Sequence, residues 1–339
     1  MKLYGAAFLV LIITSPCFAQ LTPELFERNN EIRMVFYNVE NLFDPADDPL
    51  TRDEEFTPDG DRHWDKYKYY EKLNRSAKAL IATGGFEPPE IIGLCEIENK
   101  KVLTDLIYNT ALKSYGYGIA HFESRDRRGI DVGLLYQKDK VALINSQKIL
   151  IDFPWDKNYY TRDILWATFA LKQDTFHVFV NHWPSRWRGQ LETEQSRMFV
   201  AQTLRKVTDS LYENNSLVKI IVMGDFNDTP TDKSIKDVLI GNDNPYFINL
   251  MIDISLFPGS NKYRNDWTYI DQMILSEGFK TQNGLGYIDK SALPCAFDFL
   301  LELDKKNMGL KPKRTFIGFS YQPGFSDHLP IKADFKFVD

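Results

Sequence analysis

Three cysteines in 339 residues, Cys17, Cys95 and Cys295, are too few for a disulfide framework. No apolar run approaches the 20 or so residues that a membrane-spanning helix needs. Positive charge is not in excess either. Lys and Arg number 41 against 47 Asp and Glu, a formal net charge of −6. That balance argues against a broad electrostatic grip on nucleic acid. It leaves room for phosphate turnover, because metal ions neutralise carboxylates and a few arginines serve a cleft. His-Glu-x-x-His and Gly-x-Ser-x-Gly are both missing, which removes the zinc-protease and serine-hydrolase templates. No internal repeat and no Pro/Gly/Ser linker divides the chain, so residues 30–339 are expected to form one domain.

The N-terminus reads as an address. Lys2 is followed by a short apolar stretch, 6–13, and by Thr14-Ser15-Pro16-Cys17-Phe18-Ala19. This is the pattern of a signal peptide, residues 1–19, cut before Gln20. The expectation is an exported protein, periplasmic or secreted, with no stable membrane insertion. Pro16 argues against a lipid anchor on Cys17.

Short β-branched or aromatic runs recur at 34–37, 91–95, 130–136, 164–171, 176–180, 219–223, 267–275 and 331–337. Helical patterns lie at 64–82, 101–112, 190–211 and 232–239. The chain therefore reads as α/β, with helices covering sheets that pack on each other. Residues 44–61 form a long acidic loop. Calcium is an option there, but the EF-hand spacing is missing, and a solvated loop is the plainer reading.

Several runs end in chemistry. Tyr37-Asn38-Val39-Glu40-Asn41, Cys95-Glu96-Ile97-Glu98, Gly224-Asp225-Phe226-Asn227 and Ser326-Asp327-His328 follow one another, with Asn181-His182 and Ile270-Asp271 between them. Alternation along an extended strand puts Ile221, Met223, Asp225 and Asn227 on one face, and Met34, Phe36, Asn38 and Glu40 on another. Any single string is an ordinary strand-end turn. Buried carboxylates in this number need a partner or a metal, which implies one shared cleft.

Together these strings resemble the endonuclease/exonuclease/phosphatase superfamily, over about 34–337. Gly-Asp-x-Asn followed by Ser-Asp-His carries the resemblance. It implies a four-layer αββα sandwich of two mixed β-sheets flanked by helices. It also implies Mg²⁺, with Mn²⁺ as a substitute, held by Glu96 with Asn38, Glu40 behind them and Asp327 near a second position. His328 is implied to handle the attacking water, oriented by Asp271. Asp225, aimed by Asn227, is the competing proton acceptor. His182 is implied to meet a phosphate oxygen or the leaving group, as in the deoxyribonuclease-like branch. Arg162, and then Arg186, are the phosphate contacts to expect; Arg125, Arg127, Arg128 and Arg188 read as surface charges. Trp183 and Trp187 read as core residues before base-stacking ones. His63, His121 and His177 read as packing or surface residues, and Lys311-Pro312-Lys313-Arg314 as a solvated patch.

The implied activity is metal-dependent hydrolysis of a phosphodiester, by a nuclease acting on DNA or RNA as a monomer without a protein partner. Val222-Met223 before Gly224, and Thr268-Tyr269-Ile270 before Asp271, depart from the inositol 5-phosphatase strings. A sphingomyelinase or phospholipase, for which no aromatic hairpin for membrane insertion is evident, and an inositol-phosphate phosphoesterase are the enzyme alternatives. A non-catalytic binding homologue is the alternative of another class. It has no need of two histidines.

Overall fold

The structure is a computed structural model that describes residues 30–85, 87–187, 189–241, 246–252, 254, 257–281 and 283–338. The signal peptide, Cys17 and Arg188 lie outside the described residues.

Strands follow in the order β1 (Glu31–Leu42), β2 (Ile91–Ile97), β3 (Tyr117–His121), β4 (Asp131–Gln137), β5 (Ala142–Ile149), β6 (Ile164–Leu171), β7 (Asp174–His182), β8 (Lys219–Asp225), β9 (Phe247–Asn249), β10 (Asn261–Tyr263), β11 (Asp266–Thr268), β12 (Asp271–Ser276), β13 (Gly284–Tyr287), β14 (Leu293–Pro294), β15 (Leu301–Leu303), β16 (Leu310–Pro312), β17 (Phe316–Ile317), β18 (Ser320–Tyr321) and β19 (Ile331–Val338). The α-helices are α1 (Lys66–Gly84), α2 (Lys100–Tyr108) and α3 (Gln190–Asn214). One sheet runs β13-β19-β1-β2-β4-β3, with β14 also on β19. The other runs β5-β6-β7-β8-β12-β9. Both are mixed: β1–β2 and β7–β8 are parallel, and the remaining neighbours are antiparallel.

Strand alternation builds the layers. Met34 and Phe36 of β1 meet Ile221, Met223 and Met273 of the other sheet in the central core. Val35, Tyr37 and Val39 face away and pack under α1 and α2, against Leu73, Ala77, Leu80, Val102 and Leu106. Val222 and Ile274 face outward to Val200, Ala201 and Leu204 of α3. The four layers match the expected αββα sandwich.

The helices start where the sequence provides caps. Asp65 accepts from the Lys68 N–H at α1, and Asn99 from the Val102 N–H at α2. Two details differ from the sequence reading. The 232–239 stretch is a π-helical turn, Ser234–Ile240. The single run expected at 267–275 divides into β11, which belongs to a hairpin with β10, and β12, which joins the sheet.

Candidate active site

Three adjacent strands bring three groups to one level. β8 pairs His182 of β7 with Asp225 on one side, and Asp271 of β12 with Asp225 on the other. All three share the inner face of their sheet. The glycine before Asp225 follows from this packing, since a Cβ on Gly224 would lie 2.4 Å from the Asn181 carbonyl oxygen.

The facing sheet contributes Asn38 and Glu96. Glu96 sits in a bulge: Cys95 pairs with Val132 and Ile97 with Asp131, so Glu96 opposes nothing, and its φ is 60°. A bulge re-aims a side chain at a strand end. Asn38 Nδ2 is 3.3 Å from Glu96 Oε1 and 3.1 Å from Asp225 Oδ2, which joins the two sheets. The Asn41 N–H donates to Glu96 Oε2 at 2.8 Å.

The segment before β19 closes the pocket. Ser326 Oγ donates to the Asn38 carbonyl at 2.7 Å and accepts from the His328 N–H at 3.0 Å. His328 Nδ1 lies 2.7 Å from Asp271 Oδ2. Its Nε2 is 3.9 Å from Asp225 Oδ2, and His182 Nε2 is 3.8 Å from that same oxygen. The Asn227 N–H donates to Asp225 Oδ1 at 2.9 Å, while Asn227 Nδ2 donates to the Trp183 carbonyl.

The two histidines titrate in opposite directions. Burial lowers the His182 pKa well below 6.5, and Arg162, Arg128 and His328 push it the same way. Burial works against His328 too, but the Asp271 carboxylate, with Asp225 and Asp327, outweighs it and holds the imidazolium well above 6.5. Burial lifts Asp225 to about 7, against the pull of His328 and of the Asn227 and Asn38 donors.

The oxygen donors fit a hard divalent ion. Glu96 and Asp225 present carboxylates on either side of the Asn38 amide, and a buried Asp271 Oδ1 has no hydrogen-bond partner. Asp225, Asp271 and His328 also gather donor atoms within 4.8 Å. Asp271 and His328 are bonded to each other, however, so they read as an acid–base pair rather than as ligands. The half-buried Glu96 carboxylate with Asn38 is the better cradle for Mg²⁺ or Mn²⁺.

Other expected residues land differently. Glu40 does not continue the Asn38 face. The strand loses register between Asn38 and Leu42, with φ of 54° at Glu40, and both Glu40 oxygens are taken, by Arg314 Nε and the Thr315 N–H. Arg314 is therefore not a solvated residue: it bridges Glu40 and Asp327, at 3.0 Å to each. Arg162 is buried beside His182 and donates to Asp126 and the Trp183 carbonyl. Arg186 is turned to Asp228, Asp232 and the Asn227 carbonyl, which leaves the expected phosphate contact without geometric support. Trp183 is buried and bonded to Asn181, so the core reading holds for it, whereas Trp187 is 91 % exposed and the core reading fails there. The expectation of no aromatic hairpin also fails, since the β17–β18 hairpin carries exposed Ile317 and Phe319. In loop 44–61, carboxylates cap backbone N–H groups of the same loop, and among the described residues none of them joins a three-residue metal cluster. Cys95 and Cys295 are buried free thiols.

Two contributors escaped the sequence reading. Ser260 Oγ donates to Asp271 Oδ2 at 2.6 Å, steadying the carboxylate that orients His328. Lys72 on α1 is fully buried near Glu40 and donates to Thr315 and the Phe325 carbonyl. Neither belongs to a motif. Only an unpaired polar residue on an apolar helix face hinted at Lys72.

A model described as the endonuclease/exonuclease/phosphatase family matches residues 33–336. Solved structures share the fold at low identity. A humanized Danio rerio TDP2 is 16 % identical, with 91 % of this chain and 100 % of that chain covered and a TM-score of 0.56. The human nocturnin catalytic domain with bound sulfate is 16 % identical, with 91 % and 95 % covered and a TM-score of 0.53. A Bacteroides thetaiotaomicron mannosyl-6-phosphatase is 15 % identical, with 90 % and 100 % covered and a TM-score of 0.58. No curated protein matches the chain.

Proposed function

The chain belongs to the endonuclease/exonuclease/phosphatase family of metal-dependent phosphoric ester hydrolases, and from that premise we propose an exported phosphodiesterase that cuts nucleic-acid strands by in-line attack of water. One observation carries the reading: two imidazole Nε2 atoms and an Asn38 amide face a single carboxylate oxygen, Asp225 Oδ2, beside Glu96. A binding protein needs no such set.

Glu96 and Asn38 would hold a divalent ion, which would supply charge to meet the developing negative oxygens. The side chains do the rest. Asp225, held by the Asn227 N–H, accepts the proton of the attacking water. His328, kept as an imidazolium by Asp271, donates to a non-bridging oxygen as charge builds there. Neutral His182 faces the same point and binds a second oxygen, and the oxygen that leaves as the P–O bond opposite the attacking water breaks takes its proton from solvent. The exposed indole of Trp187, next to Arg186 on Asn227, supports a strand substrate, because an aromatic face stacks any base. The DNA complex solved for Danio rerio TDP2, a protein of the same fold, is consistent with this choice. Export rests on the N-terminal pattern.

The test is direct. Purified protein is incubated with single- and double-stranded DNA, RNA, bis-p-nitrophenyl phosphate, p-nitrophenyl phosphate, sphingomyelin and inositol phosphates, with Mg²⁺ and then with chelator. Metal-dependent cleavage of nucleic acid, lost in Glu96→Gln, is expected. Turnover of a monoester or lipid alone would overturn the nuclease reading, and full activity in Glu96→Gln the site assignment. An exported protein whose N-terminus is Gln20 confirms the cleavage point.

A further inference from the structure

A second group of metal-type donors lies at the corner where β3 turns into β4. His121 is the last residue of β3 and Asp131 the first of β4, with Glu123 at the start of the loop between them. Asp131 pairs across the sheet with Ile97, the residue after Glu96, so this corner adjoins the pocket without being part of it.

His121 is the informative member. Its side chain is only 2 % exposed, and Nε2 is buried with no hydrogen-bond partner. That nitrogen lies 3.4 Å from Asp131 Oδ2 without bonding to it, and Nδ1 lies 3.8 Å from Glu123 Oε1. Elsewhere in this molecule a histidine paired simply with an aspartate closes to 2.7 Å, as His328 does on Asp271. Since an ion takes a single ring nitrogen, it is the 3.4 Å between Nε2 and Asp131 Oδ2 that matches two ligands on one ion. Bonds of about 2.1 Å at a tetrahedral centre set ligands roughly 3.4 Å apart. The other Asp131 oxygen accepts from the Ser124 N–H at 2.8 Å, and the Glu123 carboxyl is hydrogen-bonded to the Asp131 side chain, so the three donors are already gathered at one point. One donor atom from each of the three residues falls within 4.8 Å of the others.

We propose that His121, Glu123 and Asp131 form a second, structural cation site that takes Zn²⁺, distinct from the oxygen-lined cradle at Glu96. An imidazole with two carboxylates suits zinc, whereas Mg²⁺ favours oxygen donors and water. The site has a purpose in the fold. Loop 122–130, gripped at both ends by these ligands, carries Asp126, which holds Arg162. It also carries Arg128, whose charge acts on His182. The ion fixes the base of the loop that builds the arginine side of the pocket.

The experiment reads stability and stoichiometry, not turnover. Full-length protein is stripped with chelator and titrated with ZnCl2 while heat of binding and thermal melting are followed. The same is done for Glu96→Gln, Glu123→Gln and His121→Gln. Glu123 is 65 % exposed, so Glu123→Gln keeps the fold intact. A zinc-linked rise in Tm is expected in the parent and in Glu96→Gln, with affinity weakened about tenfold or more in Glu123→Gln and His121→Gln. No zinc-linked rise in the parent overturns the proposal. So does a rise that survives unchanged in Glu123→Gln, or one abolished by Glu96→Gln.

Discussion

The pocket has two walls that treat the same side chain in opposite ways. On one wall His328 is bonded to Asp271, with Asp327 and Asp225 near, and is kept charged. On the other His182 stands among Arg162 and Arg128 and is kept neutral. Both rings are buried, so burial alone separates nothing. The neighbouring charge decides, and the difference produces a donor wall and a neutral wall around one carboxylate. A phosphoryl group entering between them meets a proton-rich face and a hydrogen-bonding face at once.

The comparison breaks most completely at its shared centre. Asp225→Asn keeps the size of the side chain and removes the oxygen that both rings face. Its turnover is expected to fall about 10³-fold to 10⁴-fold, measured with saturating Mg²⁺ and substrate. A tenfold loss or less would remove Asp225 from proton transfer.

Next in size is the acidic wall by itself. Asp271→Asn is expected to lower activity about 10²-fold. It also brings the His328 titration down, which NMR of the imidazole resolves. The sign for stability follows from linkage. A histidine whose folded pKa is raised stabilises below its unfolded value of about 6.5, and this is lost as pH rises through the folded pKa. The stability penalty of Asp271→Asn is therefore larger at pH 6 than at alkaline pH. An equal penalty at both would show that the charge on His328 is not what Asp271 supports.

The basic wall gives a smaller effect on turnover. Arg162→Met removes a positive neighbour, so the His182 ring titrates closer to 6.5, and activity falls about tenfold. The buried partner Asp126 loses its cation, which destabilises the protein by about 3 kcal/mol. A His182 titration unmoved by Arg162→Met would remove Arg162 from its causes and leave burial with Arg128 and His328.

Much of both walls was legible before any coordinates. Asp225 closes one apolar strand, Asp271 opens another and His328 just precedes a third, and polar residues gathered at buried strand ends announce a site. The alternation that sets Glu40 on the Asn38 face is a rule for unbroken strands, and the left-handed residues Glu40 and Asn41 break it. Such bulges leave no composition signal. Arg314 was misjudged for a different reason. A Lys-Pro-Lys-Arg run looks solvated, and only the tertiary return of the chain after β16 places it between Glu40 and Asp327. The β17–β18 hairpin was missed because two-residue strands are too short to show a period. Nothing in the sequence sets His121 beside Glu123 and Asp131, because these neighbours lie across a turn and a single histidine carries no spacing.

The gentlest test lies outside the pocket, where a buried carboxylate has neither a histidine nor an arginine to answer it. Glu98 follows the Glu96 bulge and accepts from the Asp44 N–H at 2.5 Å. Burial lifts its pKa to about 8, and Asp44, Asp53 and Asp48 add to the rise against that one hydrogen bond. A carboxyl raised on folding is at its most stabilising below the unfolded value of about 4.5, where it is protonated in both states. Between there and about 8 the unfolded chain releases the proton and the folded chain keeps it, so stability falls with rising pH. Glu98→Gln cannot ionise, and its amide oxygen still accepts from Asp44. The variant should melt with the parent near pH 5 and above it at pH 8 to 9, the gap widening through the interval. If the curves stay parallel, the ring beside Asp271 and the carboxyl beside Asp44 are not governed by the same balance of burial and neighbouring charge, and the contrast between the walls loses its general basis.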